Sequence, residues 1–177
     1  MACLVPAVAG GAASDSILLA PSGMLFVANP DSGTVSSVDT LANRKIAETS
    51  VGIDPRMLAF SPDSRLLYVS SQGSATVSVL DAASLSVLSS IAVDPEPYGV
   101  VVSPDGGTLF VACSAGSVVD VIQSPPIRAP VLPLSLINRR TLYRIAARIP
   151  VAARPKGLAL SADGTRLYVT HFLTGEV

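Results

Sequence analysis

The sequence has few charged and aromatic residues, and these shortages exclude whole classes of protein. Among 177 residues, 14% are charged and 5% are aromatic, whereas 49% are hydrophobic. A chain this apolar does not fit intrinsic disorder, and one this poor in charge does not fit a coiled coil. No apolar run reaches the roughly 18–20 residues that a membrane-spanning helix needs. The hydrophobic residues are therefore expected in short buried segments, and we predict no membrane span.

Residues that commonly carry catalysis or bind metals are also scarce. The chain has one histidine, His171, and two cysteines, Cys3 and Cys113, in no redox, haem-attachment or zinc spacing. No GxSxG motif occurs, and a nucleophilic triad needs a base and an orienting acid beside the nucleophile. We therefore expect no catalytic residue, no metal site and no cofactor. Whether the chain is an enzyme, and whether Cys3 pairs with Cys113, stays open.

What the sequence does contain is an internal repeat of about 42 residues. Three copies align as PRMLAFSPDSRLLYVSS from Pro55, PYGVVVSPDGGTLFVAC from Pro97 and PKGLALSADGTRLYVTH from Pro155, and a fourth precedes them. Each copy has four β-rich runs separated by turn residues, a pattern typical of propeller blades. Helical repeats would need helical periodicity, and leucine-rich or β-helix solenoids a shorter period. We predict an all-β protein, an open β-propeller of four-stranded antiparallel blades.

The repeat also divides the chain. In the second copy the predicted strands are Met57–Phe60, Leu66–Ser70, Thr76–Asp81 and Val87–Val93. A propeller removes open strand edges by closing its ring, so half a ring leaves an unpaired edge. We therefore expect either a fragment of a longer propeller or a chain that closes its ring by self-association. The predicted units are a leader or truncated signal-like segment at 1–13 and blades at about 14–54, 55–96, 97–154 and 155–177, the last incomplete.

The motifs LFVANPDSGTVSSVD over 25–39 and LYVSSQGSATVSVLD over 67–81 resemble the YVTN-type β-propeller repeat family of surface-layer and lactonase-like proteins. Asn29 occupies the position of the Asn in that family's motif, although the other copies vary there. The resemblance covers about residues 14–177. Members usually have about seven blades, so it implies that this chain supplies about 3.5 of them. It also implies a periplasmic, cell-surface or secreted location.

Two sets of aspartates recur at fixed places in the repeat. Recurrence favours a structural task, because an active site needs unique residues. We expect these carboxylates to accept hydrogen bonds from turn amides. The first set is Asp63, Asp105 and Asp163, and the second, expected to close the third strand of each blade, is Asp39, Asp81 and Asp120.

Unique residues flank the proline that opens each blade, and they are better candidates for binding. Arginine, lysine, tyrosine and carboxylates around a channel mouth suit a small anion or a metal ion, although charges there also serve solubility. The single histidine, expected in a loop after the second strand of the last blade, is a candidate at the same rim or a plain exposed histidine. The candidate ligand-binding residues are Asp54, Arg56, Glu96, Tyr98, Arg154, Lys156 and His171.

A Pro- and Arg-rich insertion at about 124–142 separates the third and fourth strands of the third blade. No acidic residue lies between Asp120 and Asp163, whereas basic residues cluster there. Arginine suits bidentate contact with phosphate or carboxylate, and the alternative is a solvated loop that meets the protein's own acidic face. The candidate residues for a polyanionic or protein partner are Arg128, Arg139, Arg140, Arg144 and Arg148.

Three functions follow from these features. The repeat and the missing triad favour a non-catalytic binding or scaffold propeller of the cell surface or periplasm, with a protein or polyanionic partner. The family resemblance implies, as an alternative, a lactonase-like hydrolase or a redox-accessory propeller. The basic segment 128–156 leaves nucleic-acid or polyanion binding as a further alternative.

Overall fold

A computed structural model of the chain describes residues 16–124 and 143–172, which contain fourteen β-strands and one short 3-10 helix, Gln72–Ser74. The predicted leader at 1–13, the insertion beyond Ser124 and the last five residues lie outside the described residues, as does Cys3. In the described part, no helix has the length and apolarity to cross a membrane.

The strands form four antiparallel sheets in which spatial order equals chain order. Three sheets have four strands and the last has two, and we number them blades 1 to 4. Their strands are β1 (Ile17–Leu19), β2 (Met24–Asn29), β3 (Thr34–Asp39) and β4 (Arg44–Ser50) in blade 1; β5 (Pro55–Phe60), β6 (Leu66–Ser71), β7 (Thr76–Asp81) and β8 (Val87–Ala92) in blade 2; β9 (Pro97–Val102), β10 (Thr108–Cys113), β11 (Val118–Gln123) and β12 (Arg144–Pro150) in blade 3; and β13 (Pro155–Leu160) and β14 (Leu167–His171) in blade 4.

The blades fan out from their first strands. Strand β9 packs against both β5 and β13, and β5 also contacts β1 and β2. The fourth strands lie at the other edge of each sheet. The described sheets form an open row and do not close into a ring. Apolar residues of the first and last sheets, Ile17, Leu19 and Tyr168, are therefore exposed. The predicted fold class, an open β-propeller of four-stranded antiparallel blades, is confirmed.

Alternating side chains give each sheet two apolar faces, as the period of two along a strand requires. In blade 2, the leucine face consists of Leu58, Phe60, Leu67, Val69 and Leu80 and packs on blade 1. The tyrosine face consists of Ala59, Tyr68 and Ser70; its apolar residues pack on blade 3, and the Ser70 hydroxyl donates to the Tyr98 carbonyl there. Leu58, Leu67 and Tyr68 are fully buried, so each interface stabilises the fold by the removal of large side chains from water.

The recurrent turn aspartates act as the sequence predicts. Backbone amides of Arg65, Gly107 and Thr165 donate to the carboxylates of Asp63, Asp105 and Asp163 at 3.2, 2.9 and 3.1 Å. The preceding serine hydroxyl donates to each carboxylate as well. Hydrogen bonds from Ser161 and Thr165 lower the pKa of Asp163 to about 2. These carboxylates therefore serve the first hairpin turn of blades 2, 3 and 4.

Truncation of the leucine face will show that the interfaces between blades carry stability. We expect Leu58→Ala to destabilise the protein by about 2–5 kcal/mol, because it leaves a cavity in a fully buried site. Leu41→Ala, in the turn between β3 and β4 and 92% exposed, is the matched control and changes stability by less than about 0.5 kcal/mol. Urea unfolding measures both, and equal effects would contradict the assignment of the core.

Candidate functional site

The candidate ligand-binding residues lie where the chain enters each inner strand. Pro55, Pro97 and Pro155 are the first residues of β5, β9 and β13, a position that suits proline because it costs no ladder hydrogen bond. Six of the seven candidates stand immediately before and after these prolines, and the seventh is His171. Since β9 packs between β5 and β13, three blade entries that are distant in sequence become neighbours at one end of the sheets.

The residue before each proline has an uncommon left-handed backbone conformation. Asp54, Glu96 and Arg154 have φ values of 57°, 57° and 54°. Their carbonyls accept the amides of Gln72, Ser114 and Phe172 at 2.9, 2.9 and 3.0 Å. Each entry loop is thereby bonded to the end of the second strand of its own blade, which offsets the backbone strain and fixes the direction of the next residue.

Two cationic side chains, from blades 2 and 4, meet over the ring of Tyr98 in blade 3. The Nζ of Lys156 lies 4.0 Å from the centroid of the Tyr98 ring, and Cζ of Arg56 lies 5.9 Å from it. Both distances are within the reach of cation–π attraction, which contributes about 0.5–2 kcal/mol. We call Arg56, Tyr98 and Lys156 the entry cluster.

Arg56 is held from one side by its own blade. Its Nη2 lies 2.6 Å from the Asp54 carboxylate, and its Nε donates to the Gln72 side-chain oxygen at 2.9 Å. These two contacts neutralise and orient the guanidinium. Arg56 is therefore positioned before any ligand arrives.

Lys156 is the less neutralised cation of the cluster. Burial lowers its pKa first, and the neighbouring Arg56 and Arg154 lower it further, against opposing effects of Glu96 and Asp54. Within residues 16–124 and 143–172, no carboxylate lies within ion-pair distance of its ammonium group. A desolvated ammonium group beside an oriented guanidinium favours an anion.

The other rim candidates are less engaged. Glu96 and Arg154 are exposed, and they act on Lys156 only through their charges. His171 is half-buried as the last residue of β14, opposite Pro155, and its Nδ1 lies 3.3 Å from the Ala153 carbonyl. The expectation that His171 lies in a loop is wrong, because strand pairing with β13 extends through it.

Two of the five candidate residues for a polyanionic partner fall within the described residues. Arg144 donates to the Gln123 side-chain oxygen at 2.6 Å. Arg148 donates to Asp94 at 2.9 Å and lies 3.4 Å from Asp120. Both are thus engaged by neighbouring side chains of this protein. Arg128, Arg139 and Arg140 lie outside the described residues.

The expectation that Asp120 closes the third strand of its blade is wrong. Strand β11 ends at Gln123, the register equivalent of Asp39 and Asp81. Asp120 lies within the strand, where blades 1 and 2 have Ser36 and Ser78. A constant spacing of about 42 residues leads to Gln123. Alignment on the shared aspartate misses it.

Asp120 is instead part of a buried ionic group that the sequence did not reveal. Its side chain is fully buried, and its Oδ2 accepts the Asp94 amide at 2.9 Å. The Cys113 thiol lies 3.8 Å from the same oxygen. Burial raises the pKa of Asp120 and also that of Cys113. Arg148 bridges Asp94 and Asp120, so the group links the loop before β9 to β11 and β12.

Recesses lie between blades 1 and 2 at both ends of the described sheets. One of about 340 Å³ lies at the entry end and includes Gly33, Gly52 and Asp54. A larger groove of about 860 Å³ lies at the opposite end, lined by the turns at Pro21 and Pro62. We place the candidate site at the entry end, because the chemistry of the entry cluster is there. No three His, Cys, Asp or Glu side chains of the described residues are grouped to hold a metal ion.

Comparison with known structures supports the fold, whereas comparison of the sequence with family models and curated proteins finds no match. The YVTN resemblance therefore stays a prediction. A putative 6-phosphogluconolactonase from Bacteroides uniformis aligns with a TM-score of 0.73 and 14% identity, over 90% of this chain and 48% of its own. The periplasmic gluconolactonase of Pseudomonas aeruginosa gives 0.66 and 16%, over 81% and 41%. A chain of the mitotic checkpoint complex gives 0.71 and 14%, over 89% and 47%.

These similarities define the class of fold, the β-propeller, and at such identities nothing finer. The chain spans less than half of the length of these three similar chains. One of them belongs to a protein complex. Activity, ligand and partner therefore have to be argued from this chain's own residues.

Substitutions in the buried ionic group will show that Arg148 and Asp120 contribute to stability together. We expect Arg148→Ala to destabilise the protein by about 1–3 kcal/mol, because it leaves a buried carboxylate without its counter-ion. The loss of stability should lie at the lower end of this range, because the Arg148 side chain is half exposed. The double variant D120S/R148A, with the serine of blades 1 and 2, is expected to recover most of the loss. Denaturant unfolding of the wild type, both single variants and the double variant measures the coupling between the two side chains. Strictly additive losses of stability would refute it.

Proposed function

We propose that this chain is a non-catalytic binding propeller of the periplasm or cell surface, and that its entry cluster holds a small anionic ligand. The observation that carries the proposal is the convergence of Arg56, Tyr98 and Lys156 from three blades. The neighbouring Arg56 lowers the pKa of Lys156, so a bound anion would relieve the repulsion between the two cations.

The geometry favours a carboxylate or phosphate group as the anion. Arg56 offers a planar guanidinium already oriented by Asp54 and Gln72, and Lys156 offers an ammonium group without a described counter-ion. Both cations lie over the same aromatic ring, at 5.9 Å and 4.0 Å from the Tyr98 centroid. A sugar acid or a sugar phosphate supplies both the charge and hydroxyl groups that suit the polar rim.

Lactone hydrolysis is the second candidate, supported by the similar fold of chains called gluconolactonases. A sugar lactone would need a base beside the entry cluster, and Glu96 and His171 are the described candidates near it. Both sit in the blade-entry region, but neither is placed against a nucleophile by a described contact. Binding without turnover is therefore the first proposal, and a redox-accessory role has no described residue in its favour.

Polyanion or nucleic-acid binding through 128–156 is proposed with less support. Arg144 and Arg148 already satisfy Gln123, Asp94 and Asp120. A polyanion would have to compete for them or to use residues outside the described part. Its signature would be a steep loss of affinity for heparin or DNA between roughly 50 and 200 mM salt.

Removal of either cation of the entry cluster will weaken anion binding. We expect Arg56→Ala and Lys156→Ala each to weaken the binding of 6-phosphogluconate by about tenfold or more, because each deletes a charge-assisted contact. Tyr98→Phe keeps the ring and should change affinity little, whereas Tyr98→Leu should weaken it. Calorimetric titration at low salt measures the affinities.

The matched control is Arg166→Ala, an exposed arginine at the other end of the β13–β14 hairpin. It removes the same charge from the chain and should leave the affinity unchanged. Equal loss in Arg166→Ala and Arg56→Ala would reduce the effect to net charge and refute a defined site. Release of acid from δ-gluconolactone in the same preparations, with and without divalent cations, would favour the hydrolase instead.

As the pH is raised, anion binding should be lost at a lower pH than it would be with an ordinary lysine. Only the ammonium form of Lys156 attracts an anion, and its pKa lies below the usual 10.5, so binding is lost as pH rises through that lowered value. Below it, binding is complete with respect to this group. Lys156→Arg should abolish the step, because guanidinium stays charged. A pH profile of affinity that is the same in both proteins would contradict this role.

A further inference from the structure

A recess that the proposed function does not use lies between blades 1 and 2, at the end of the sheets opposite the entry cluster. We call it the turn groove, and it has a volume of about 860 Å³, within the usual range for small-molecule sites. Blades 1 and 2 both have four described strands, so the groove lies inside the row of sheets and not on either end face. The residues that carry its chemistry are Met24, Ser37, Asp39, Ile46 and Asp63.

Blade 1 departs from the repeat in the wall of the turn groove. Ser37 pairs with Phe26 across β2 and β3, and both residues line the groove. At the same register in blade 2, Val79 pairs with Tyr68 and is fully buried between blades 2 and 3. Serine is smaller than valine, so blade 1 leaves space where the next interface is filled.

The Ser37 hydroxyl is a polar group without a partner at this space. The residue is only 4% exposed, yet its hydroxyl forms no hydrogen bond with residues 16–124 or 143–172. The neighbouring Ser36 hydroxyl, by contrast, accepts the Asn29 side-chain amide at 2.9 Å. A buried polar group without a partner is costly, so a ligand that supplies the partner gains affinity at this position.

Two carboxylates of the turn groove each keep one oxygen for a ligand. Oδ1 of Asp39 accepts the amides of Leu41 and Ala42 at 2.9 and 3.0 Å, and these bonds lower the pKa of Asp39, which keeps it charged. Oδ1 of Asp63 accepts the Ser61 hydroxyl at 2.6 Å. Neither Oδ2 accepts a hydrogen bond from a described residue, and no described lysine or arginine forms an ion pair with either carboxylate. The groove therefore presents negative charge, and its described lining contains no basic side chain.

Charge and shape together define the occupant. We propose that the turn groove binds a small organic amine. Its ammonium group donates to Asp39, Asp63 and Ser37, and its apolar body covers Met24 and Ile46. An ammonium group has three donors and no acceptor, which matches a lining that offers acceptor oxygens. Ile46 is 45% exposed, so the apolar body removes a large side chain from water. This site is independent of the anion site at the entry cluster and takes a ligand of the opposite charge.

The amine 2-phenylethylamine is the probe for this site. We expect a nuclear magnetic resonance titration of the full chain at low salt to give a dissociation constant of about 1 mM or below. The alcohol 2-phenylethanol has the same apolar body without the charge and should bind at least about tenfold more weakly, and 3-phenylpropanoate should not bind. Equal affinity for the amine and the alcohol, or no amine binding at about 10 mM, would overturn the proposal.

Two substitutions test the residues that carry the proposal. Asp63→Asn keeps an oxygen acceptor for the turn but loses the charge, so the amine should bind about tenfold more weakly. Asp105→Asn is the matched control and should leave the affinity unchanged, because Asp105 holds the same turn in blade 3 and lies outside the groove. Ser37→Val gives blade 1 the valine of blade 2, and it should abolish amine binding while the affinity for 6-phosphogluconate stays the same.

Far-ultraviolet circular dichroism and urea unfolding check that each variant is folded. If Ser37→Val does not fold, Ser37→Ala removes only the hydroxyl and should weaken amine binding by at least about threefold. Arg56→Ala, which removes a cation of the anion site, should leave amine binding unchanged, so the failure of one site is distinguishable from the failure of the other. Equal losses in Asp63→Asn and Asp105→Asn, or an amine affinity that does not respond to substitution of Ser37, would refute the site.

Discussion

The packing of unlike apolar faces between neighbouring blades is the interaction on which the rest of this structure depends. Each sheet is apolar on both sides, so a single blade would expose Leu58 and Leu67 on one face and Tyr68 on the other. Burial of such side chains contributes roughly 1.5–3 kcal/mol each, and it is available only between sheets. The stability of this repeat protein therefore comes from the contacts between neighbouring blades.

The same packing creates the candidate site. Arg56, Tyr98 and Lys156 belong to different repeats, and they meet because β9 lies between β5 and β13. The repeat fixes the positions around each opening proline, whereas the side chains at those positions vary. Structure thus comes from what the copies share, and the chemistry that we propose comes from where they differ.

Blade 3 departs from the repeat in its interior as well. Asp120 replaces a serine that blades 1 and 2 keep, and a buried carboxylate at that position requires the bridge from Arg148 and the amide of Asp94. The insertion enters just before β12, which carries Arg148. A substitution inside one strand and an arginine on the next therefore act together and tie the loop before β9 to its own blade.

The sequence by itself determined the repeat, the strands and the turns. Period, alternation and turn residues are local, so β5 to β8 lie within two residues of their predicted bounds and Asp63, Asp105 and Asp163 bond the predicted turns. It also marked the residues around the opening prolines as unique. Only the tertiary structure decided that Lys156 rests on Tyr98, that Asp120 faces Arg148 and that His171 stays in β14. Those outcomes depend on contacts between distant strands, and a local pattern holds no information on which side chains such strands bring together.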